Sequence, residues 1–189
     1  MSVDFASQRA IMVESQVRVA DVTDYAIQDA MRVVEREKLL PPDKAYLAYA
    51  DVEVEYAPGR WLLKARDVGR LLQALRPHAG ERALAIAAPY AAAVMAAMGV
   101  VVTRLDDGDL TAPFGDYDLA VCEGAVAKVP PSWSAALAIG GRLALVECDG
   151  RIGRAELYVR SEHGVGRRDL FDCAPPLMAG FEPASAFSF

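Results

Sequence analysis

Glu123 ends an apolar, strand-like run, Tyr117-Asp-Leu-Ala-Val-Cys122, and Asp106 ends another, Val100-Val-Val-Thr-Arg-Leu105. Carboxylates at the carboxyl ends of strands stand where an open α/β sheet takes its ligands. Glu123 is placed to serve such a site. It has a plainer reading too, as a strand-end residue bonded to nearby backbone amides. Asp106 has Asp107 and Asp109 beside it, the composition of an acidic loop. Between Arg82 and Arg104 the chain carries no charge, and its central turn is Ala87-Ala88-Pro89-Tyr90. Loops that cradle nucleotides use glycine there, because it reaches positive φ freely and lets a ligand approach the backbone. An alanine in that conformation costs roughly 1–2 kcal/mol and puts a Cβ where the ligand would lie. His78 and His163 have no cysteine or carboxylate at ligand spacing, so no metal is expected. No nucleophile elbow or P-loop motif occurs.

Several elements must hold these residues in place. Phe5, Ile11, Met12 and Val13 predict an amphipathic helix over residues 4–17, and Asp24 caps a second one running to about residue 37. Val52, Val54 and Tyr56 alternate with Glu53 and Glu55, the pattern of a half-exposed strand over 51–56. Pro58-Gly59 is a turn before Trp61-Leu62-Leu63, and Val68, Leu71, Leu72 and Leu75 mark a helix that stops before Pro77. A strand over 82–86, a helix over 89–98 and a strand over 100–105 follow. Then come a strand over 117–122 and a helix over 132–138 capped by Ser132. Gly140-Gly141 turns into a strand over 142–147, and strands over 154–161 and 165–171 close the series. This order predicts an α/β fold with a mixed sheet. Trp61 and Trp133 read as packing residues. Val100, Val101 and Val102 in a row predict a strand covered on both faces.

The 189 residues, 53% of them hydrophobic, are enough for a single domain over 1–189. Within it, 1–64 supply N-terminal helices and a hairpin and 65–189 the α/β core. A net charge of -6 opposes general nucleic-acid binding. Five arginines over 151–168, against Glu156 and Glu162, read as the solvated face of two strands, with a local anion site as the alternative. The uncharged run is long enough for a membrane helix. Its alanine content, Pro89 and Gly99 argue against a span. Three cysteines without metal-like spacing, and first residues without signal-peptide features, lead us to expect a cytoplasmic protein.

The order of motifs over nearly the whole chain resembles the protein-L-isoaspartate O-methyltransferase family. Arg9, Met12-Val13, Gln16-Val17, Val22-Thr-Asp24, Ala30-Met31 and Arg36-Glu37 are similar to its N-terminal part. Ala48-Tyr-Ala-Asp51 resembles the segment entering its hairpin. Tyr117 to Ala125, Val129-Pro130 and Gly140-Gly-Arg-Leu143 resemble its fourth and fifth strands. The resemblance implies a Rossmann-type, S-adenosylmethionine-methyltransferase-like sheet with helices on both faces. It also implies esterification of isoaspartyl or D-aspartyl carboxyls in damaged proteins.

The functional positions depart from the family pattern. A G-x-G-x-G turn is implied after Ile86, where this chain has Ala87-Ala-Pro-Tyr90. Counting from Gly59, Leu63 stands where the family's substrate-gripping serine is implied, and Ala65 where a proline is usual. Residues 107–116 occupy an interval that implies a helix, a third strand and another helix. Ten residues reach at most about 33–36 Å, too little for those elements. The expected fold is therefore shortened by loss of the outer third strand and its helices, with irregular chain from 105 to 117. Strand 100–105 is then left at the sheet edge, and we expect loop 107–114 or a partner to cover it. The expected function is that of a pseudoenzyme acting through a protein partner or a second copy, with no catalytic residue and no cofactor. The alternative is an active methyltransferase holding S-adenosylmethionine against Ala87, Ala88, Tyr90, Asp106 and Glu123.

Overall fold

In the computed structural model, residues 4–149 and 152–183 are described. Helix α1 (Phe5–Met12) continues through a π-helical turn at Val13–Val17. Helix α2 (Tyr25–Val33) starts where Asp24 accepts the amides of Ala26 and Ile27, as the sequence predicts, but is shorter than expected. Strands β1 (Val54–Ala57) and β2 (Arg60–Leu62) form a hairpin about Gly59, which lies at φ 65. Helix α3 (Ala65–Leu75) then leads into a six-stranded sheet.

The sheet elements are β3 (Arg82–Ile86), α4 (Pro89–Ala97), β4 (Val101–Leu105), β5 (Tyr117–Val126), α5 (Pro131–Ala135), β6 (Leu137–Cys148), β7 (Gly153–Ser161) and β8 (Gly164–Asp172). Their spatial order is β4-β3-β5-β6-β7-β8. The first three pairings are parallel and the last two antiparallel, so the sheet is mixed as expected. Residues 106–116 contain no helix or strand. The chain thus passes from β4 to β5 without a crossover element, and β4 is left at the edge. That is the shortened topology which residue count alone required.

Alternation along the strands builds two apolar layers. Ala83, Ala85, Leu119, Val121, Ala144 and Val146 face α2, α3 and α4. Leu84, Ile86, Ala120, Cys122, Leu143 and Leu145 face the other way. That second face is closed by a thin cover: Leu110 from the β4–β5 connection, Trp133 from the five-residue α5, and Met178 and Phe181. Trp133 is fully buried and donates its indole N–H to the Leu110 carbonyl at 2.7 Å. The packing role expected of it holds.

Three expectations need correction. Ser132 does not cap α5: its hydroxyl donates to the Thr111 carbonyl, and Pro130 precedes the helix. Gly140-Gly141 does not turn the chain into a strand but lies inside β6 as a bulge. Three residues of β5 (Tyr117 to Leu119) oppose the six from Leu137 to Arg142. A Cβ on Gly141 would fall 2.8 Å from two carbonyl oxygens, which excludes any larger residue. Lastly, the Val100–Val102 run is not covered on both faces. Val101 is 60% exposed, because the elements that would lie over it are missing, and Phe114 in the connection is 97% exposed rather than folded back on the edge.

Candidate functional site

The carboxyl ends of β3 and β5 meet the start of α4, where an open α/β sheet takes a ligand. Ala87, the residue after β3, is held at φ 44 while its N–H donates to the Leu105 carbonyl at 2.9 Å. It is an alanine in the conformation that favours glycine. Ala88 (φ -127) precedes Pro89, which opens α4 at a position where the missing N–H costs nothing. Ala87, Ala88 and Tyr90 are all fully buried.

Glu123 reaches this turn from β5. Its Oε2 accepts the amide of Tyr90 at 3.0 Å and that of Ala91 at 3.2 Å. The start of a helix carries free N–H groups and a positive dipole end, a ready anion site. Here the anion is internal. The strand expected to end at residue 122 runs on to Val126 past a bulge between Val121 and Ala125, so Glu123 lies inside β5; of its plainer reading, the bonding to backbone amides holds, through Oε2.

Arg36, 0% exposed, lies beside this pair. Its Nε donates to the Ala48 carbonyl at 2.8 Å, a second nitrogen donates to the Leu63 carbonyl, and the guanidinium sits 4.5 Å from the centroid of the Tyr90 ring. Its Nη1 is 3.9 Å from Glu123 Oε1, beyond hydrogen-bond reach, and neither atom has a hydrogen-bond partner. The hydroxyls of Tyr90 and Tyr56 are likewise unpartnered in the interior. Burial pushes the Glu123 carboxyl up to about 7, against the pull of Arg36 and of the amides of Ala91, Tyr90 and Leu63. Burial lowers Arg36 and raises Tyr90 for the same reason. At Tyr56 burial acts first, and the fields of Glu123 and Asp106 add to it.

Asp106 ends β4 next door. Its Oδ2 pairs with Arg104 Nε at 2.7 Å, while Oδ1 is buried without a hydrogen-bond partner. Above the cluster the hairpin is tied down by the last described segment. Arg60 donates to the Ala179 carbonyl at 2.9 Å, Ala179 donates to Gly59, and Met178 donates its N–H to Ala125. A Cβ on Gly59 would meet Ala179 Cβ at 2.3 Å, so the two segments touch.

Ala87, Ala88, Tyr90 and Glu123 are therefore brought together, with Asp106 on the neighbouring strand. Nothing in the spacing or type of Arg36 and Tyr56 marks them chemically as members of this cluster; Arg36 stands out only as part of a family pattern. Leu63, at the position implied for a substrate serine, contributes only its backbone. Among the described residues no group of three or more His, Cys, Asp or Glu could hold a metal, and no helix is long and apolar enough to cross a membrane.

No family model matches the chain. It is 34% identical over 170 residues to protein-L-isoaspartate O-methyltransferase 1 of Rhodopseudomonas palustris (strain HaA2), a match covering 75% of this chain and 69% of that one. It is 31% identical over 204 residues to the enzyme of that name from Methylorubrum populi, covering 91% of this chain and 95% of the relative. The chain belongs to the protein-L-isoaspartate O-methyltransferase family. The second alignment is longer than the 189 residues available here, so the relative carries residues that this family member lacks.

Solved structures agree on the methyltransferase fold. A Plasmodium falciparum protein assigned to the β-aspartate methyltransferases, in complex with S-adenosyl-L-homocysteine, superposes with a TM-score of 0.74 at 14% identity. That match covers 90% of this chain and 97% of the other. A second protein-L-isoaspartate O-methyltransferase superposes at 0.70 and 18% identity, over 90% of this chain and 67% of that one.

Proposed function

We propose that this family member is a pseudoenzyme: a methyltransferase domain that has given up its cofactor and works through protein contacts. One observation carries the reading. The Glu123 carboxylate holds the Tyr90 and Ala91 amides at the start of α4, the place where a bound anion would be held. Two others support it. Ala87 and Ala88 fill the turn with side chains instead of opening it, and residues 106–116 supply no strand or helix to wall an adenine. S-adenosylmethionine does not fit the residues present at this turn, where Glu123 already takes the amides and two alanine side chains fill the space.

The second reading, an active methyltransferase esterifying isoaspartyl residues, draws on the names of the relatives. Isothermal titration with S-adenosylmethionine separates the two. The expected result is no binding tighter than millimolar, which corresponds to about −4 kcal/mol. A micromolar dissociation constant, or cofactor carried through purification, supports the active enzyme instead.

A further inference from the structure

Between α3 and β8 lies an open groove of about 670 Å³. Its far wall is the segment 20–24, which Gln73 of α3 staples in place. The Gln73 side chain accepts the amides of Thr23 and Asp24 at 2.6 and 3.0 Å and donates to the Asp21 carbonyl at 2.8 Å. Three guanidiniums line the groove, those of Arg70, Arg76 and Arg168, and none makes a hydrogen bond or an ion pair among the described residues. The Arg70 guanidinium lies over the Phe171 ring, 3.7 Å from its centroid. Arg142 pairs with Val159 and Val159 with Gly166, while the Arg142 side chain donates to the Leu75 and Arg76 carbonyls at 2.8 and 3.1 Å. Arg76 therefore sits near the level of Gly166, and Arg168 falls between it and Phe171. Arg168 opposes Leu157 of the core that faces α3, so its side chain rises on the same side. The floor is bare at Gly166, where an added Cβ would meet nothing within 4 Å.

Two of these arginines stand out from their kind. Within 151–168, Arg154 is spent on Asp169 and Asp172, Arg160 on the carbonyls of Ala135 and Leu137, and Arg167 on Glu147 and Glu156. Arg151 lies outside the described residues, and Arg168 is the one of the other four left free. Arg76 follows α3 at φ 50, a left-handed conformation that strains a bulky residue and that glycine normally takes after a helix. Glycine would serve stability there; arginine keeps a cation on the groove.

We propose that this groove docks an extended acidic segment of a partner protein, with its carboxylates on Arg70, Arg168 and Arg76. Guanidinium forks match carboxylates two bonds at a time. From Phe171 to Gly166 β8 covers about 16 Å, a length that an extended chain follows with several side chains. Asp21 and Asp24 also line the groove, the latter already engaged in capping α2. Both repel an evenly charged phosphate backbone, as does the net charge of -6. A peptide carries its carboxylates at intervals and passes the two aspartates with neutral residues. The proposal rests on the reading of this chain as an interaction protein and names the chemistry of its partner. Titration of the wild type with S-adenosylmethionine tests that reading alone, so the two ideas fail separately.

The probe is a fluorescein-labelled decapeptide of alternating glutamate and serine, followed by fluorescence anisotropy at low ionic strength. The wild type is expected to bind it, and added salt to weaken the binding. Arg168→Glu should weaken it at least tenfold. Lys128→Glu, the same charge change at an exposed residue outside the groove, should alter it less than twofold. Arg76→Gly should lose at least threefold in affinity while its melting temperature holds or rises, because the strain leaves with the side chain. An Arg76→Gly protein with full affinity overturns the proposal, as does a Lys128→Glu protein that loses as much as Arg168→Glu. A wild type that fails to bind the peptide at millimolar concentration overturns it too. So does a thymidine decanucleotide that binds more tightly than the peptide, or inorganic pyrophosphate that displaces the peptide at equal concentration.

Discussion

Glu123 Oε2 lies 3.0 Å from the amide nitrogen of Tyr90, so a carboxylate carried on one strand caps the helix that follows another. The cap is fully buried, and its second oxygen faces Arg36 without bonding it. Local structure, electrostatics and function meet at this contact, and most of what can be tested follows from it.

The first test is the pH dependence of stability. Burial holds the folded carboxyl of Glu123 at about 7, above its ordinary 4.5. Between those values the folded protein keeps a proton that the unfolded chain has released. The contribution of Glu123 to stability is therefore fullest below about pH 4.5 and is lost as pH rises through 7, by up to about 3 kcal/mol. Glu123→Gln keeps an acceptor for the two amides and removes the titration. The melting temperature of the variant relative to the wild type is expected to climb between about pH 5 and pH 7.5. Thermal melts across that range check it, and a flat difference would contradict it.

Arg36 supplies the second. Replacing it with methionine leaves the carbonyls of Ala48 and Leu63 unpaired and Glu123 buried without a cation. Loss of one member of a buried charged pair costs about 3–5 kcal/mol. The double variant Arg36→Met, Glu123→Gln should recover a good part of that loss, since the remaining charge goes with its partner. Urea unfolding of the four proteins gives the coupling directly. Simple additivity would mean that the two groups do not sense each other.

The turn after β3 allows a paired comparison. Ala87 sits at φ 44 and Ala88 at φ -127, and both side chains are fully buried. Glycine relieves the left-handed strain at the first position, worth roughly 1–2 kcal/mol, but only adds chain entropy to the unfolded state at the second. Ala87→Gly is therefore expected to be more stable than Ala88→Gly by about 1 kcal/mol or more. Equal destabilisation would show that the strain at Ala87 is negligible.

At Gly124 a Cβ would meet Met178 Cγ at 2.4 Å. Gly124→Ala must push the segment around Met178 off the sheet, at a cost of about 1–3 kcal/mol. The expected sign is faster limited proteolysis after residue 174, with the rest of the chain resistant. Unchanged cleavage would mean that the side chain of Met178 swings aside without moving its backbone.

Much of the fold was legible because its signals are local. An apolar run marked β3 and three consecutive valines the start of β4, Asp24 marked the start of α2, and a count of ten residues was enough to remove a strand with its helices. The Gly140–Gly141 bulge was not legible, because two adjacent glycines give the same signal whether they turn a chain or relieve a close contact within a strand. The exposure of Val101 was missed for a related reason: the pattern reports what the residues suit, and a deletion elsewhere decides what covers them. In the site, Glu123 and the Ala87–Ala88 turn could be picked out because each follows an apolar run in the sequence. Arg36 and Tyr56 reach it from segments well before β3, and spacing along the chain says nothing of that meeting.

The thin cover of the sheet's second face has a consequence for biosynthesis. Leu84, Ile86, Cys122 and Leu145 emerge from the ribosome well before Met178 and Phe181, which help to seal them. During translation that face stays open to water and to other nascent chains, although the helical face can already close on α2, α3 and α4. Such an interval favours aggregation, and domains that complete a core from distant segments depend on chaperones to bridge it. Expression yield should therefore fall when the segment around Met178 is truncated or its docking weakened, more steeply than the lost contacts alone would suggest.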